Sequence, residues 1–139
     1  MRRVILESPY GQDPYLGVVY GRACLRHSLW MGEAPMAMHL LYTQPGILDD
    51  SVPAERAQGM ASAFLWYGAA EACVVYRDYG ISDGMEAGIE MATSLGLPVE
   101  YRSLPYEFRI MHRDQYYDAF PATDKMTAAE LIENANRRG

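Results

Sequence analysis

The sequence predicts an α/β domain, a parallel sheet of four to five strands with helices on both faces. Short apolar runs alternate along the chain with stretches whose apolar residues recur every three or four positions. Glycine, proline and aspartate gather in the joints between the two kinds of segment. The length is 139 residues, half of them hydrophobic and 22% charged, which suits one globular domain and leaves no room for two.

The elements follow in order. Arg3–Glu7 is a β-branched apolar run, stopped by Ser8-Pro9-Tyr10-Gly11. From Tyr15 to Met31, Leu16, Val19, Tyr20, Ala23, Cys24, His27 and Trp30 mark one face of a helix, and Gly32 suits its C-cap. Ala34 to Tyr42 is apolar nearly throughout and reads as a buried strand at its centre. Thr43 to Val52 is a loop turning at Pro45-Gly46. A helix then starts at Ser51-Val52-Pro53, with proline in its first turn, and runs to about Tyr67. Ala72–Tyr76 is a second buried strand. Ser82 or Asp83 caps a helix ending near Leu95-Gly96, and Leu97 to Arg102 forms a fourth strand. Tyr106 to His112 reads as an edge strand and Thr127 to Asn136 as a closing helix.

Eighteen acidic residues against twelve basic ones give a formal net charge of −6. A binder of duplex nucleic acid needs a basic face to replace phosphate counterions, so that class is excluded, while a small anion held by a few arginines is not. Cys24 and Cys73 stand far apart in apolar surroundings, as in a reduced intracellular protein. Glu7 interrupts the first apolar run too early for a signal peptide, and no run reaches the roughly 18 residues of a membrane span. The expected location is the cytoplasm, its own cell's or a host's, with no membrane partner. No metal-ligand spacing, phosphate-binding P-loop, Gly-x-Ser-x-Gly elbow or first-turn Gly-x-Gly-x-x-Gly is present, so no cofactor or metal is implied.

In an open parallel sheet, ligands sit beyond the carboxyl ends of the strands. The segments after each strand therefore share one edge: Ser8 to Gly11, Tyr42 to Asp50, Asp78 to Met85, and Arg102 onward. Gly80-Ile81-Ser82-Asp83-Gly84-Met85 has glycines for close backbone approach and the free N–H groups of a helix start, which favour phosphate or carboxylate. Glu86 and Glu90 lie four apart on one helix face, the spacing of a solvated pair or, facing a cleft, of a nucleophile or base. His39 in an apolar run reads as a hydrogen-bonded interior histidine or a ligand contact, and Asp78 as a loop cap or an acid.

Two patterns carry a resemblance. Val4 to Gly11, and Gly84-Met85-x-x-Gly88-x-Glu90-x-Ala92-x-x-x-Gly96-x-Pro98-Val99, resemble the first strand and the glycine-bearing helix of the nucleoside 2-deoxyribosyltransferase-like superfamily. The ordered set Glu7-Ser8-Pro9, Gly32-Glu33-Ala34-Pro35, His39-Leu40-Leu41-Tyr42-Thr43, Asp49-Asp50, Arg56, Tyr76, Gly80-Ile81-Ser82 and Gly84-Met85 resembles a group of small phage and actinobacterial proteins. The resemblance covers about residues 3–103, leaving 104–139 as a C-terminal extension of a single domain spanning 1–139. It implies a flavodoxin-like (Rossmann-like) fold, a homo-oligomer of two or more copies, and a nucleoside or nucleotide ligand. The activity it implies is cleavage or transfer of an N-glycosidic bond, with a helix-borne glutamate as nucleophile.

In this chain that nucleophile position is Gly88, and Glu90 stands where the superfamily has glycine. Residues two apart on a helix point about 200° apart, so Glu86 and Glu90 replace position 88 only if the helix shifts. Two functions follow. In the enzyme, Glu86 or Glu90 is the nucleophile and Asp83 or Asp78 the acid. Ser8, Pro9, Tyr10, Gly11, His39, Tyr42, Gly80, Ser82 and Met85 then contact the ligand, and Arg56 or Arg102 holds phosphate with the Gly84 loop. In the alternative, the same pocket binds a nucleotide immune signal of cyclic ADP-ribose type without changing it.

Overall fold

The computed structural model describes residues 1–11, 13–109 and 133. Its elements are β1 (Arg3–Glu7), α1 (Pro14–Trp30), β2 (Ala34–Met36), α2 (Met38–Leu41), α3 (Pro53–Tyr67), β3 (Ala72–Tyr76), α4 (Asp83–Ser94), β4 (Val99–Arg102) and α5 (Tyr106–Arg109). The four strands form one sheet in the order β2-β1-β3-β4, and every pairing is parallel. This is the Rossmann-like α/β architecture expected of the sequence.

Alternation along the two central strands sorts their side chains between the two faces. Val4, Leu6, Ala72, Val74 and Tyr76 pack with Tyr20, Ala23 and Cys24 of α1, Leu40 of α2 and Phe108 of α5. Ile5, Cys73 and Val75 pack with Tyr67 of α3 and with Met85 and Ala92 of α4. Every residue of β3 is buried, which is why it reads as an unbroken apolar run. Asp13 caps α1, accepting from Leu16 N at 3.1 Å, and Pro14 opens the helix. Gly17 allows the loop after β1 to lie against α1, because a Cβ there would stand 2.8 Å from Tyr10 Cα and 2.9 Å from the Pro9 carbonyl.

The sheet differs from expectation at both edges. The second strand is three residues long, pairing Arg3 with Ala34 through Ile5 with Met36, and His39-Leu40-Leu41 belongs to a helical turn. Burial of Met38 and Leu40 in that turn accounts for an apolar run that period alone cannot assign to strand or helix. The fourth strand starts at Val99, since Leu97 N still donates to Ala92 O of α4 at 2.9 Å. The expected edge strand from Tyr106 is instead the helical turn α5, closed by Phe108 N and Arg109 N on Pro105 O. Phe108 docks it against α1, its ring centroid 5.0 Å from that of His27. Residues 110–112 of that expected strand, and the expected closing helix apart from Glu133, lie outside the described residues. No described helix is long and apolar enough to cross a membrane.

Candidate functional site

The carboxyl end of β1 opens into a cleft walled by α2, α3 and the start of α4. The sequence brings residues here from four separate joints. Ser8, Tyr10 and Gly11 come from the loop after β1, His39 and Tyr42 from α2 and its end, Arg56 from the first turns of α3. Ser82, Gly84 and Met85 come from the head of α4. These nine of the twelve expected ligand contacts thus line one space, and seven of them, all but His39 and Arg56, come from the segments where the strand-end rule puts a ligand. Pro9, Gly80 and Asp83 line an adjoining groove that shares Tyr10, Gly11 and Ser82 with the cleft.

The polar groups of the cleft are held in place. Ser8 Oγ and His39 Nε2 share a hydrogen bond of 2.8 Å. Desolvation pushes the His39 pKa down to about 4, so the ring is neutral at physiological pH. Arg56 Nη1 pairs with Asp50 at 2.9 Å, and its other terminal nitrogen comes within 3.3 Å of where a Gly84 Cβ would stand. Ser82 caps α4 by accepting from Met85 N at 3.3 Å, leaving the first N–H groups of the helix beside the Arg56 guanidinium. Met38, Met60 and Phe64 add apolar side chains to the lining of the same cleft.

Glu7, the last residue of β1, lines the cleft with only 7% of its surface exposed. The Tyr67 hydroxyl donates to its Oε1. Among the described residues it forms no salt bridge, and burial raises its pKa to about 7. On its far side is Gly88: a Cβ there would lie 2.1 Å from Glu7 Oε1, 2.6 Å from its carboxyl carbon and 2.7 Å from the Tyr67 hydroxyl. The glycine on α4 is therefore the complement of the glutamate on β1.

The remaining expected residues are placed elsewhere. Glu86 and Glu90 are exposed on α4 and do not line the cleft, because the buried face of that helix carries Met85, Gly88 and Ala92. Asp78 anchors the far face of the sheet, accepting from the Tyr20 hydroxyl at 2.6 Å, Leu104 N at 2.8 Å and Arg109 Nη2 at 2.6 Å. Arg102 is a bidentate partner of Glu33, both contacts at 2.7 Å, where Arg2 and Ser28 also meet that carboxylate. Those donors outweigh burial and hold Glu33 down at about 2. Glu7 and Tyr67 are absent from the set expected from sequence. The available signal was a charge closing an apolar strand directly before Ser8-Pro9, together with a glycine at position 88.

Residues 2–102 match the family model described as a domain of unknown function, DUF7768. The chain belongs to this family. The DUF7768 match ends with β4 and so takes in the four strands and every residue lining the cleft. No curated protein and no solved structure matches the chain.

Proposed function

We propose that this DUF7768 protein binds a nucleoside or nucleotide in the cleft at the end of β1 and cleaves or transfers its N-glycosidic bond. The observation that carries this reading is the convergence on one space of a buried carboxyl group, the Arg56–Asp50 pair beside the start of α4, and apolar side chains. The apolar side chains suit a base, the Ser8–His39 pair suits sugar hydroxyls, and Arg56 with the first N–H groups of α4 suits a phosphate. The resemblance to the nucleoside 2-deoxyribosyltransferase-like superfamily points to the same ligand class. The homo-oligomer it implies is a separate proposal.

A second reading, sequestration of an intact nucleotide, is favoured by one observation: the helix position that carries the superfamily's nucleophile is Gly88. Native mass spectrometry with a panel of nucleosides, deoxynucleotides, NAD and cyclic ADP-ribose isomers, followed by chromatography of the ligands, separates the two. Released base supports the enzyme; tight binding with every ligand recovered intact supports the trap and overturns the enzyme. The same spectra count the copies in the assembly.

Arg56→Ala tests the phosphate end. Losing a charged hydrogen bond of about 1.5–3 kcal/mol is expected to weaken a deoxynucleoside 5′-monophosphate by tenfold or more. The matching deoxynucleoside is expected to change by less than about twofold, since it presents no charge to the guanidinium. Equal losses for both ligands, read by titration calorimetry, would move the phosphate away from Arg56.

A further inference from the structure

Glu7 is an unusual residue to find buried in the lining of this cleft. Its carboxyl group is buried, its hydrogen-bond partner is the Tyr67 hydroxyl, and among the described residues it is in no ion pair. A carboxyl group placed so destabilises a fold that a glutamine or methionine would serve better, and such groups cluster where chemistry needs them. Gly88 adds an independent geometric observation. The helix wall facing the carboxyl group lacks a side chain at the one position where even a methyl group would collide with it. Strand and helix together reserve space for a single carboxylate here.

We propose that Glu7 is the catalytic nucleophile of this cleft, attacking the anomeric carbon of the bound nucleoside or nucleotide. The proposal rests on the N-glycosidic reading above and moves its chemistry from α4, where Glu86 and Glu90 face solvent, to the end of β1. A Glu7 carboxylate oxygen forms a bond to C1′ as the C1′–N bond breaks, with its electron pair leaving on the base. The base takes a proton from a water molecule at the cleft mouth. The hydroxide so formed attacks C1′, the C1′–O bond to Glu7 breaks, and the carboxylate is regenerated. The sum is nucleoside plus water giving free base and free sugar. Tyr67 is a positioning residue, since its hydroxyl holds one carboxylate oxygen and leaves the other for attack.

The test uses the full chain with the four 2′-deoxynucleosides and their 5′-monophosphates as probes. Glu7→Gln keeps the shape of the side chain and a partner for Tyr67, so its fold and ligand binding are checked by thermal unfolding and native mass spectrometry. Base release is expected to fall by on the order of a thousand-fold in this variant, with binding kept. Acid-quenched wild type is expected to carry a deoxyribosyl adduct that peptide mapping assigns to Glu7. If wild type releases base and Glu7→Gln retains more than a tenth of the rate, or the adduct maps elsewhere, the role of Glu7 is overturned and the N-glycosidic reading stands. Binding without base release in wild type overturns both.

Discussion

In Gly88→Ala the folded state is expected to lose about 2 kcal/mol of stability, and Glu7→Ala in the same chain is expected to restore it. Alanine in the interior of a helix is ordinarily better than glycine by about 1 kcal/mol, so helix propensity predicts the opposite sign. Sterics decide. The new Cβ meets Glu7 Oε1 at 2.1 Å and the Tyr67 hydroxyl at 2.7 Å, and both groups belong to one hydrogen bond. Strand β1 cannot retreat, because it is paired on both sides, with β2 and β3. The carboxyl group must therefore swing away from Tyr67 or α4 must lift off the sheet, and either change breaks buried contacts. With Glu7 truncated the closest collision is gone, and the Tyr67 hydroxyl, 2.7 Å from the new Cβ, is released from its hydrogen bond and free to shift, so alanine regains its helical advantage. Urea unfolding of wild type, the two single variants and the double variant gives the coupling directly. A Gly88→Ala loss equally large in both backgrounds would mean that the two residues do not compete for space.

The same pair shows how far the sequence could be read. Arg3–Glu7, Ala72–Tyr76 and the capped helix after Ser82 are legible because burial on one or both faces leaves a pattern in the sequence, whereas the order β2-β1-β3-β4 is not, since parallel connections allow more than one order. The segment after Ala34 is not legible by period. Four buried or half-buried residues in a row fit a short helix as well as a strand, and only pairing with β1 decides where the strand stops. The strand-end rule brings Ser8 and Ser82 to one edge, and both line the cleft; His39 and Arg56, on α2 and α3, line it too but lie outside the segments that rule picks out. The acidic residues are not legible. Glu86 and Glu90 attract notice by lying on the motif-bearing helix, but the direction of a side chain is a tertiary fact, and theirs is outward. Glu7 looks like the polar end of a strand until Gly88 is seen behind it, 81 residues further along the chain.

Glu7 and His39 are expected to tilt the pH dependence of stability in opposite directions, so that replacing either one exposes the other. Glu7 has its pKa raised from 4.5 to about 7, chiefly by burial. The folded state holds that proton where the unfolded chain has released it. Its contribution is therefore fully present below 4.5, shrinks as pH rises, and is gone above about 7, a span of about 3 kcal/mol at 1.36 kcal/mol per unit. His39 has its pKa lowered from 6.5 to about 4 by desolvation. Here the unfolded chain takes the proton first, so stability is lost as pH falls from 6.5 toward 4. Part of the His39 surface faces the cleft, so about 2 kcal/mol is the fitting size. His27, also lowered by burial, tilts the same way as His39. Glu33 acts only at lower pH, between its ordinary 4.5 and about 2. Between 4.5 and 6.5 the Glu7 and histidine slopes oppose each other in wild type. Glu7→Gln should gain stability with rising pH across that window, and His39→Gln should lose it, both read from urea midpoints. Parallel profiles for Glu7→Gln and wild type would mean that Glu7 is ionised normally in the fold. The same titration governs the chemistry, because a nucleophile must be a carboxylate: base release should rise with pH through about 7, whereas a Glu7 acting as a proton donor would give a falling limb there.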